Sequence, residues 1–137
     1  MPLLPRKGVL AIAAVIDIAV NARGRPVAAK ALATRHRLPP RHLEPVLQAL
    51  VRHGILKGIR GPRGGYELAR EQNRITADDI LRAASSAEDE INGIAVSDSL
   101  LLNKVVVPAL AQAENAFAGA LSRITVAELA LSAERLR

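Results

Sequence analysis

One stretch of the chain, Val27 to Arg70, restricts the fold more than any other part. It reads VAAKALATRHRLPPRHLEPVLQALVRHGILKGIRGPRGGYELAR and leaves almost no spacer between its successive patterns. Ala28 to His36 has a short helical pattern, and Pro39 and Pro40 then mark a tight turn. Either proline suits the first position of a new helix, where the missing N–H costs nothing. The stretch therefore predicts two short helices joined by a tight turn.

The second of these helices is amphipathic. Its apolar residues recur at i, i+3, i+4 and i+7, a spacing that places them on one face against a core; they are Leu43, Val46, Leu47 and Leu50. The helix is expected to run to about His53 and to end at Gly54. Its opposite face carries polar side chains, namely Arg41, His42, Glu44, Gln48 and Arg52.

A glycine-rich hairpin is predicted directly after this helix. Ile55 to Arg60 and Tyr66 to Ala69 alternate as strands do, and Gly61-Pro-Arg-Gly-Gly65 between them supplies a proline turn and flexible glycines. Two helices at a tight turn followed by a β-hairpin form a winged helix-turn-helix. We expect Tyr66 to fix the hairpin to the first helix of the chain rather than to stack on a base.

The N-terminal segment predicts a buried first helix from about Pro5 to Ala22. Its apolar run, Gly8 to Val20, resembles a signal peptide, but Asp17 interrupts it. The run is amphipathic, with four apolar residues at helical spacing: Val9, Ile12, Ile16 and Ala19. It also falls far short of the ~20 apolar residues that cross a bilayer. We therefore expect no membrane segment and a soluble, cytoplasmic protein.

The C-terminal half predicts further helices. Thr76-Ala-Asp-Asp79 is a capping box that opens a short helix to about Ala84, and Thr125-Val-Ala-Glu128 is a second one that opens a last helix. Between them, Ser85 to Val96 is polar and acidic and predicts a loop. A long helical pattern covers residues 99–121, and Pro108 inside it predicts a kink near residues 104–107 or a break.

The long helix is apolar on more than one face. Its main stripe consists of Leu102, Val106, Leu110, Ala113, Phe117 and Leu121. Four apolar residues lie off this stripe: Leu100, Leu101, Val105 and Val107. We therefore infer a second copy of the chain that covers them in a C₂ dimer. The alternative is a compact monomer around which the helix wraps.

These patterns predict a mainly α fold with a small β-hairpin. A winged helix-turn-helix is expected over residues 1–84, a loop over 85–98 and a helical dimerisation region over 99–137. Residues 1–70 carry 13 Lys and Arg against 3 Asp and Glu, whereas residues 71–137 carry 6 against 10. A basic half joined to an acidic half indicates one surface for a polyanion and another for a different partner.

Double-stranded DNA fits the basic half. Outward residues near the N-terminus of a helix in the major groove meet base edges, and here these are Arg41, His42 and Glu44. Gln48 lies one turn later and could reach adenine or a phosphate. The wing would bring Arg60 and Arg63 towards the minor groove. Candidates for phosphate contacts are Lys57, Lys30, Arg35, Arg37 and Arg52.

Other readings of the same residues stay open. Glu44 could instead pair with Arg41 or Gln48 on the helix surface, and the histidines His36, His42 and His53 are expected to be surface residues. An enzyme is not indicated, because the sequence contains no Walker loop, no HExxH motif and no recognisable nucleophile set. A winged-helix module that binds a protein rather than DNA is the alternative function.

The quoted residues also resemble a known family. Leu43-Glu44, Leu47, Leu50, Gly54-Ile-Leu56 and above all Arg60-Gly-Pro-Arg-Gly-Gly-Tyr66-Glu-Leu68 resemble the Rrf-two family of bacterial winged-helix regulators, which includes the IscR and NsrR types. The resemblance extends to Leu10–Ala19, Ile75–Ile80 and Ile124–Leu129. It implies homodimeric repressors or activators with a long dimerisation helix, base contacts from Arg41 and Glu44, and Arg60 in the minor groove.

The sequence also departs from the family pattern. Many members hold an iron–sulphur cluster with three cysteines between the capping-box helix and the long helix, but this chain has no cysteine. We therefore expect no cofactor and no metal, and a small molecule or a protein as effector. Arg63 replaces a usual glycine, His42 stands where tyrosine is common, and Pro45 is unusual.

Overall fold

The computed structural model describes residues 6–92 and 99–136. Its helices are α1 (Arg6–Asn21), α2 (Ala29–His36), α3 (Pro40–Arg52), α4 (Ala77–Asn92), α5 (Val107–Leu121) and α6 (Val126–Glu134). Its strands are β1 (Leu56–Ile59) and β2 (Gly65–Leu68), which pair antiparallel. A 3₁₀ turn covers Gln72–Arg74, and a π-helical turn covers Leu102–Val106. The mainly helical fold with one hairpin is therefore confirmed.

The core lies between α1, α3 and α4. The four residues of the expected α3 stripe are at most 2% exposed, which confirms that face as buried. Ile18 of α1 and Ile80 of α4 are fully buried beside them. The polar residues expected on the opposite face of α3 are all exposed. Hydrophobic burial along this one stripe thus orients α3 with its polar face outwards.

The first helix is confirmed, but its most deeply buried face is not the stripe of Val9, Ile12, Ile16 and Ala19. Ala11, Val15 and Ile18 are fully buried, whereas Val9 is 43% exposed. Since α1 packs against α4 and also against α6, it buries side chains over a wide arc. An apolar helix of this kind does not reveal from sequence which face lies deepest.

The turn between α2 and α3 is tight and contains an unusual backbone conformation. The amide N–H of Leu38 donates to the Ala33 carbonyl at 2.9 Å, as in a Schellman motif, and Arg37 has φ 55° and ψ 47°. Glycine usually occupies such a left-handed position, because it has no Cβ to clash. Pro39 then acts as the N-cap, and Pro40 is the first residue of α3.

The hairpin is attached to the segment before α2. Tyr66 and Val27 exchange two backbone hydrogen bonds, of 2.8 and 2.9 Å, and the Tyr66 side chain is partly buried against the core. A Cβ on Gly65 would lie 2.5 Å from the Val27 carbonyl carbon, and one on Gly64 would lie 2.1 Å from the Ile59 oxygen. Only glycine permits these two approaches, so the loop sequence determines how the hairpin sits.

The first capping box forms with both of its hydrogen bonds, and the second forms its threonine cap. The Thr76 hydroxyl accepts from the Asp79 amide at 3.1 Å while the Asp79 carboxylate accepts from the Thr76 amide at 3.1 Å, and Thr125 accepts from Glu128 at 3.2 Å. Thr76 and Thr125 also form a backbone bridge, so α4 and α6 start side by side. The loop expected over Ser85 to Val96 is wrong for residues 85–92, which continue α4. Alanine and glutamate in that segment favour helix despite its acidity; residues 93–96 lie outside the described ranges.

Pro108 neither ends the helical path nor leaves it regular. Its ring lacks an N–H and clashes with the carbonyl one turn earlier, and the wider π-helical turn at Leu102–Val106 comes immediately before α5. Pro108 itself lies in the first turn of α5. Among the described side chains of α5, none is buried. Over residues 6–92 and 99–136, no helix is both long and apolar enough to cross a membrane.

Candidate nucleic-acid interface

A polar surface covers the outer side of α3. Arg41, His42, Glu44 and Gln48 lie in its first nine residues and are all exposed, because the apolar stripe on the other side fixes the rotation of the helix. Neither a hydrogen bond nor an ion pair joins Glu44 to Arg41 or Gln48 in the described part of the chain. These side chains are therefore available to a ligand with polar edges, such as a base pair.

The wing lies beside this surface. A groove of about 390 Å³ is lined by Gln48 and Val51 from α3 and by Ile59, Arg60 and Tyr66 from the hairpin, together with Gly58 and Gly65. The structure thus brings Gln48 and Arg60 into one concavity, although 12 residues separate them in sequence. A nucleic acid seated on α3 would meet both elements at once.

Glu44 influences this groove electrostatically. Burial raises the pKa of the Tyr66 phenol, and the negative charge of Glu44 raises it further. The phenol is therefore neutral at physiological pH and can donate a hydrogen bond. Tyr66, which the sequence suggested only as an anchor for the hairpin, also forms part of the groove wall.

The basic side chains around the groove are mostly solvent-exposed. Those on or next to the wing are Lys57, Arg60 and Arg63, and those on the helix pair and its turn are Lys30, Arg37, Arg41 and Arg52. Lys57 lies 3.8 Å from Glu67 across the hairpin, and the lysine side chain is 57% exposed. Exposed ion pairs of this kind contribute little to stability, so a phosphate can replace Glu67 as the partner of Lys57.

Arg35 differs from the other expected phosphate contacts because, although its side chain is 44% exposed, it pairs with a buried carboxylate. Its Nε and one terminal nitrogen each donate to the Asp17 carboxylate at 2.8 Å. His36 places Nε2 2.6 Å from the same carboxylate, and Asn21 donates to it at 3.1 Å. The Arg35 guanidinium is thus directed at α1, an interaction that no sequence pattern predicted.

Asp17 is the buried polar residue behind this interaction, with a side chain only 4% exposed. Burial tends to raise the pKa of this carboxyl, but the hydrogen bonds from Arg35, His36 and Asn21 outweigh it and lower the pKa. One sequence signal could have revealed the cluster. A carboxylate inside an apolar helical run requires partners, and the nearest arginine on an adjacent short helix is a natural one.

The family model described as "Iron-dependent Transcriptional regulator", Rrf2, matches residues 4–131. A protein of Synechocystis sp. named as an HTH-type transcriptional regulator is 32% identical over 126 residues, which cover 92% of this chain and 86% of that protein. IscR of Escherichia coli is 29% identical over 86 residues, which cover 63% of this chain and 53% of IscR. This chain thus aligns with about half the length of IscR.

Solved structures give the same fold over almost the whole chain. T. potens IscR superposes with a TM-score of 0.76 at 28% identity, covering 98% of this chain and 90% of that one. CymR (YrzC), described as the global cysteine regulator of B. subtilis, superposes with a TM-score of 0.72 at 28% identity, covering 94% and 96%. The winged helix-turn-helix is therefore confirmed, and the matched proteins are regulators rather than enzymes.

The iron dependence in the family description does not fit the side chains of this chain. Residues 85–103 contain carboxylates, hydroxyls and amides but neither cysteine nor histidine, whereas iron–sulphur clusters are held mainly by thiolates. In the described ranges, no three His, Asp or Glu side chains converge on a metal position. With the match over residues 4–131 and the shared fold, the chain belongs to the Rrf2 family of transcriptional regulators, as a member without cysteines.

Proposed function

We propose that the chain is a homodimeric, sequence-specific DNA-binding regulator that acts as a repressor. The observation that carries the proposal is the exposed polar face of α3 next to the basic wing, with Gln48 and Arg60 lining one groove. A dimer that covers two successive major grooves would exclude other proteins from that DNA, which favours repression. As a DNA-bound regulator it would act in the cytoplasm, on the nucleoid.

The α3 helix is proposed to read the major groove. Arg41 can bind guanine through two hydrogen bonds, and Glu44 can accept from the cytosine amino group. His42 lies between them on the same exposed face, and Gln48 is placed one turn further along to meet adenine or a phosphate. These side chains would determine the preferred sequence.

The wing is proposed to enter the minor groove. Arg60 and Arg63 lie between β1 and β2, and Gly61, Gly64 and Gly65 keep the backbone there narrow. Exposed cations outside the groove would hold phosphates and set the register without reading sequence: Lys30, Arg37, Arg52 and Lys57. Arg35 is the least suited of the expected phosphate contacts, because Asp17 already holds its guanidinium.

The dimer is proposed to form through the long C-terminal helix. Leu110 is 63% exposed, and Leu100, Leu101 and Val105 are 58–74% exposed, so the protomer leaves a contiguous apolar helix uncovered. Phe117 and Val106 of the expected stripe are half-buried, while the side chain of Leu102 lies outside the description. A second copy would bury these residues and place two α3 helices about 34 Å apart, one turn of DNA.

The signal that controls this regulator is proposed to be a small molecule or a protein partner. A cysteine-ligated cluster does not fit the residues present, so regulation requires another ligand. A thermal-shift screen of metabolites with the full chain would test the small-molecule case, and a shift that depends on concentration is the expected result.

Selection of binding sites from random duplex DNA tests the reading of DNA directly. Wild-type protein should enrich one palindromic site, and its affinity should fall steeply with salt because phosphates are contacted. Arg60→Ala should lose affinity, and Glu44→Ala should change the enriched sequence more than the affinity. Arg123→Ala, in the turn between α5 and α6, is the matched control and should behave as wild type.

The outcomes of this selection separate the hypotheses. If the wild-type protein bound no duplex DNA at any salt concentration, the result would support the protein-interaction module instead. If Arg60→Ala bound the selected DNA as tightly as Arg123→Ala, the proposal that the wing contacts the minor groove would be wrong.

Sedimentation of the full chain tests the dimer. Leu110→Glu should convert the dimer to a monomer, because it places a charge in the proposed apolar contact. Gln112→Glu introduces the same side chain two residues along α5, at a position that is already polar and exposed, and should leave the dimer intact. Equal behaviour of the two variants would exclude the long helix as the contact.

A further inference from the structure

We propose that Asp17 is a positioning residue for DNA binding. It would hold the end of α2, and through it the turn that leads into α3, in the orientation that the DNA complex needs. The inference rests on the proposed DNA-binding function and extends it to a residue that does not face the DNA-reading surface.

The contacts of Asp17 converge on a single place in the fold. Arg35 and His36 are consecutive residues in the last turn of α2, and both contact the same carboxylate. The next residue, Arg37, has the left-handed backbone conformation that begins the turn. One carboxylate in α1 is therefore connected, within three residues, to the point where the chain changes direction towards α3.

Packing alone constrains α2 weakly. The helix has eight residues, of which only Leu32 and Ala33 are buried, and its N-cap Ala28 makes no side-chain capping bond. Ala29 and Ala31 add only partial contacts with the core, so the small apolar face of α2 defines its orientation less sharply than a long stripe would. A bidentate arginine–carboxylate pair fixes both distance and angle, so Asp17 supplies the constraint that packing lacks.

A role in stability alone explains this arrangement less well. Asp17 is buried, whereas its partner Arg35 is 44% exposed. Because removing a carboxylate from water offsets much of what an ion pair contributes to stability, the burial of Asp17 is weak evidence for a purely stabilising purpose. Ala14 and Ile18, its neighbours one turn away or less on α1, are buried apolar residues. The position could have held an apolar residue, and the carboxylate instead determines where α2 lies.

Asp17→Asn distinguishes positioning from the alternative role of Arg35 as a phosphate contact, because the two roles predict opposite signs. If Arg35 binds phosphate, removing the Asp17 charge frees the guanidinium and DNA binding should tighten. If Asp17 positions α2, affinity for the selected site should fall about tenfold, the loss of roughly one good base contact. Binding to random duplex should then change less than about twofold, because it depends on charge.

The matched control is Asp78→Asn. It makes the same chemical change at another acid with an arginine partner, since Asp78 pairs with Arg82 at 2.9 Å within α4. The control should lose some stability and keep the ratio of specific to random binding. All affinities are measured with the full chain, well below the melting temperature of each variant as recorded by circular dichroism.

Each outcome decides the proposal. A folded Asp17→Asn that binds the selected site as tightly as wild type, or more tightly, overturns it. If Asp17→Asn does not fold, Arg35→Lys keeps the charge and removes the two-point contact, and an unchanged specific affinity for that variant overturns the proposal equally. If the wild type selects no DNA site, both the proposed function and the inference are refuted. If the wild type does select a site, the Asp17 variants test the inference alone.

Discussion

Gly65→Ala tests how the wing is attached to the body of the protein. A Cβ at this position would lie 2.5 Å from both the carbon and the oxygen of the Val27 carbonyl, and 2.8 Å from the Ala28 nitrogen. All three are backbone atoms, so no side-chain rotation can relieve the clash. The hairpin must therefore move away from Val27, and its two backbone hydrogen bonds between Val27 and Tyr66 must lengthen or break.

The expected loss follows from those two bonds. Each intramolecular backbone hydrogen bond contributes about 0.5–1.5 kcal/mol net, so losing both lowers the free energy of unfolding by roughly 1–3 kcal/mol. At about 4 °C per kcal/mol for a chain of this size, the melting temperature should fall by roughly 4–12 °C. Because Arg60 is carried on the same hairpin, affinity for the selected DNA site should fall as well.

Urea and thermal unfolding of Gly65→Ala and Gly58→Ala measure this effect. Gly58 lies in β1 of the same hairpin, and a Cβ there meets no atom within 4 Å. Gly58→Ala should change stability by no more than about 0.5 kcal/mol. The reasoning would be refuted if the two variants unfolded at the same urea concentration.

Three further perturbations test local features of the fold. Thr76→Ala removes the hydroxyl that caps α4 and should lower the free energy of unfolding by about 1 kcal/mol in urea titration; an unchanged midpoint would contradict the cap. Arg37→Gly relieves the left-handed backbone strain and should raise the same free energy by about 1 kcal/mol, whereas a loss would show that the conformation is unstrained. The lowered pKa of Asp17 means that its contribution is present above about pH 3.9, the ordinary value, and is lost as pH falls through the folded value. The stability difference between wild type and Asp17→Asn should therefore shrink as the pH is lowered below about 4 in acid titration, and a constant difference would argue against an ionised Asp17.

The features that the sequence predicted well depend on short-range patterns. The α3 stripe of Leu43, Leu47 and Leu50, and the Thr76 capping box, each lie within about two turns of chain. Their spacing alone fixes the structure, because an amphipathic face must be buried and a helix end must be capped. The wing followed in the same way from the glycines of a single loop.

The features that sequence did not predict depend on contacts between distant residues or on competing preferences. Asp17 and Arg35 are 18 residues apart and share no periodicity, so their pairing emerges only when α1 and α2 pack. The loop expected over Ser85 to Val96 failed because acidic composition and helix propensity pointed in different directions, and propensity prevailed up to Asn92. From the sequence, Pro108 predicted a kink or a break in the helix. The structure instead has a π-helical turn just before it, and this outcome depends on backbone geometry that the sequence pattern does not specify.

The uncovered α5 helix makes stability and DNA occupancy depend on the concentration of the protein. An isolated helix of 15 residues is marginal in water, and none of the described side chains of α5 is fully buried within the protomer. In the proposed dimer its folding is therefore completed by association, so apparent stability rises with protein concentration by mass action. Occupancy of a palindromic site would then vary with roughly the square of the protomer concentration at low levels. The amount of protein in the cell would itself act as an input to regulation, without any bound effector.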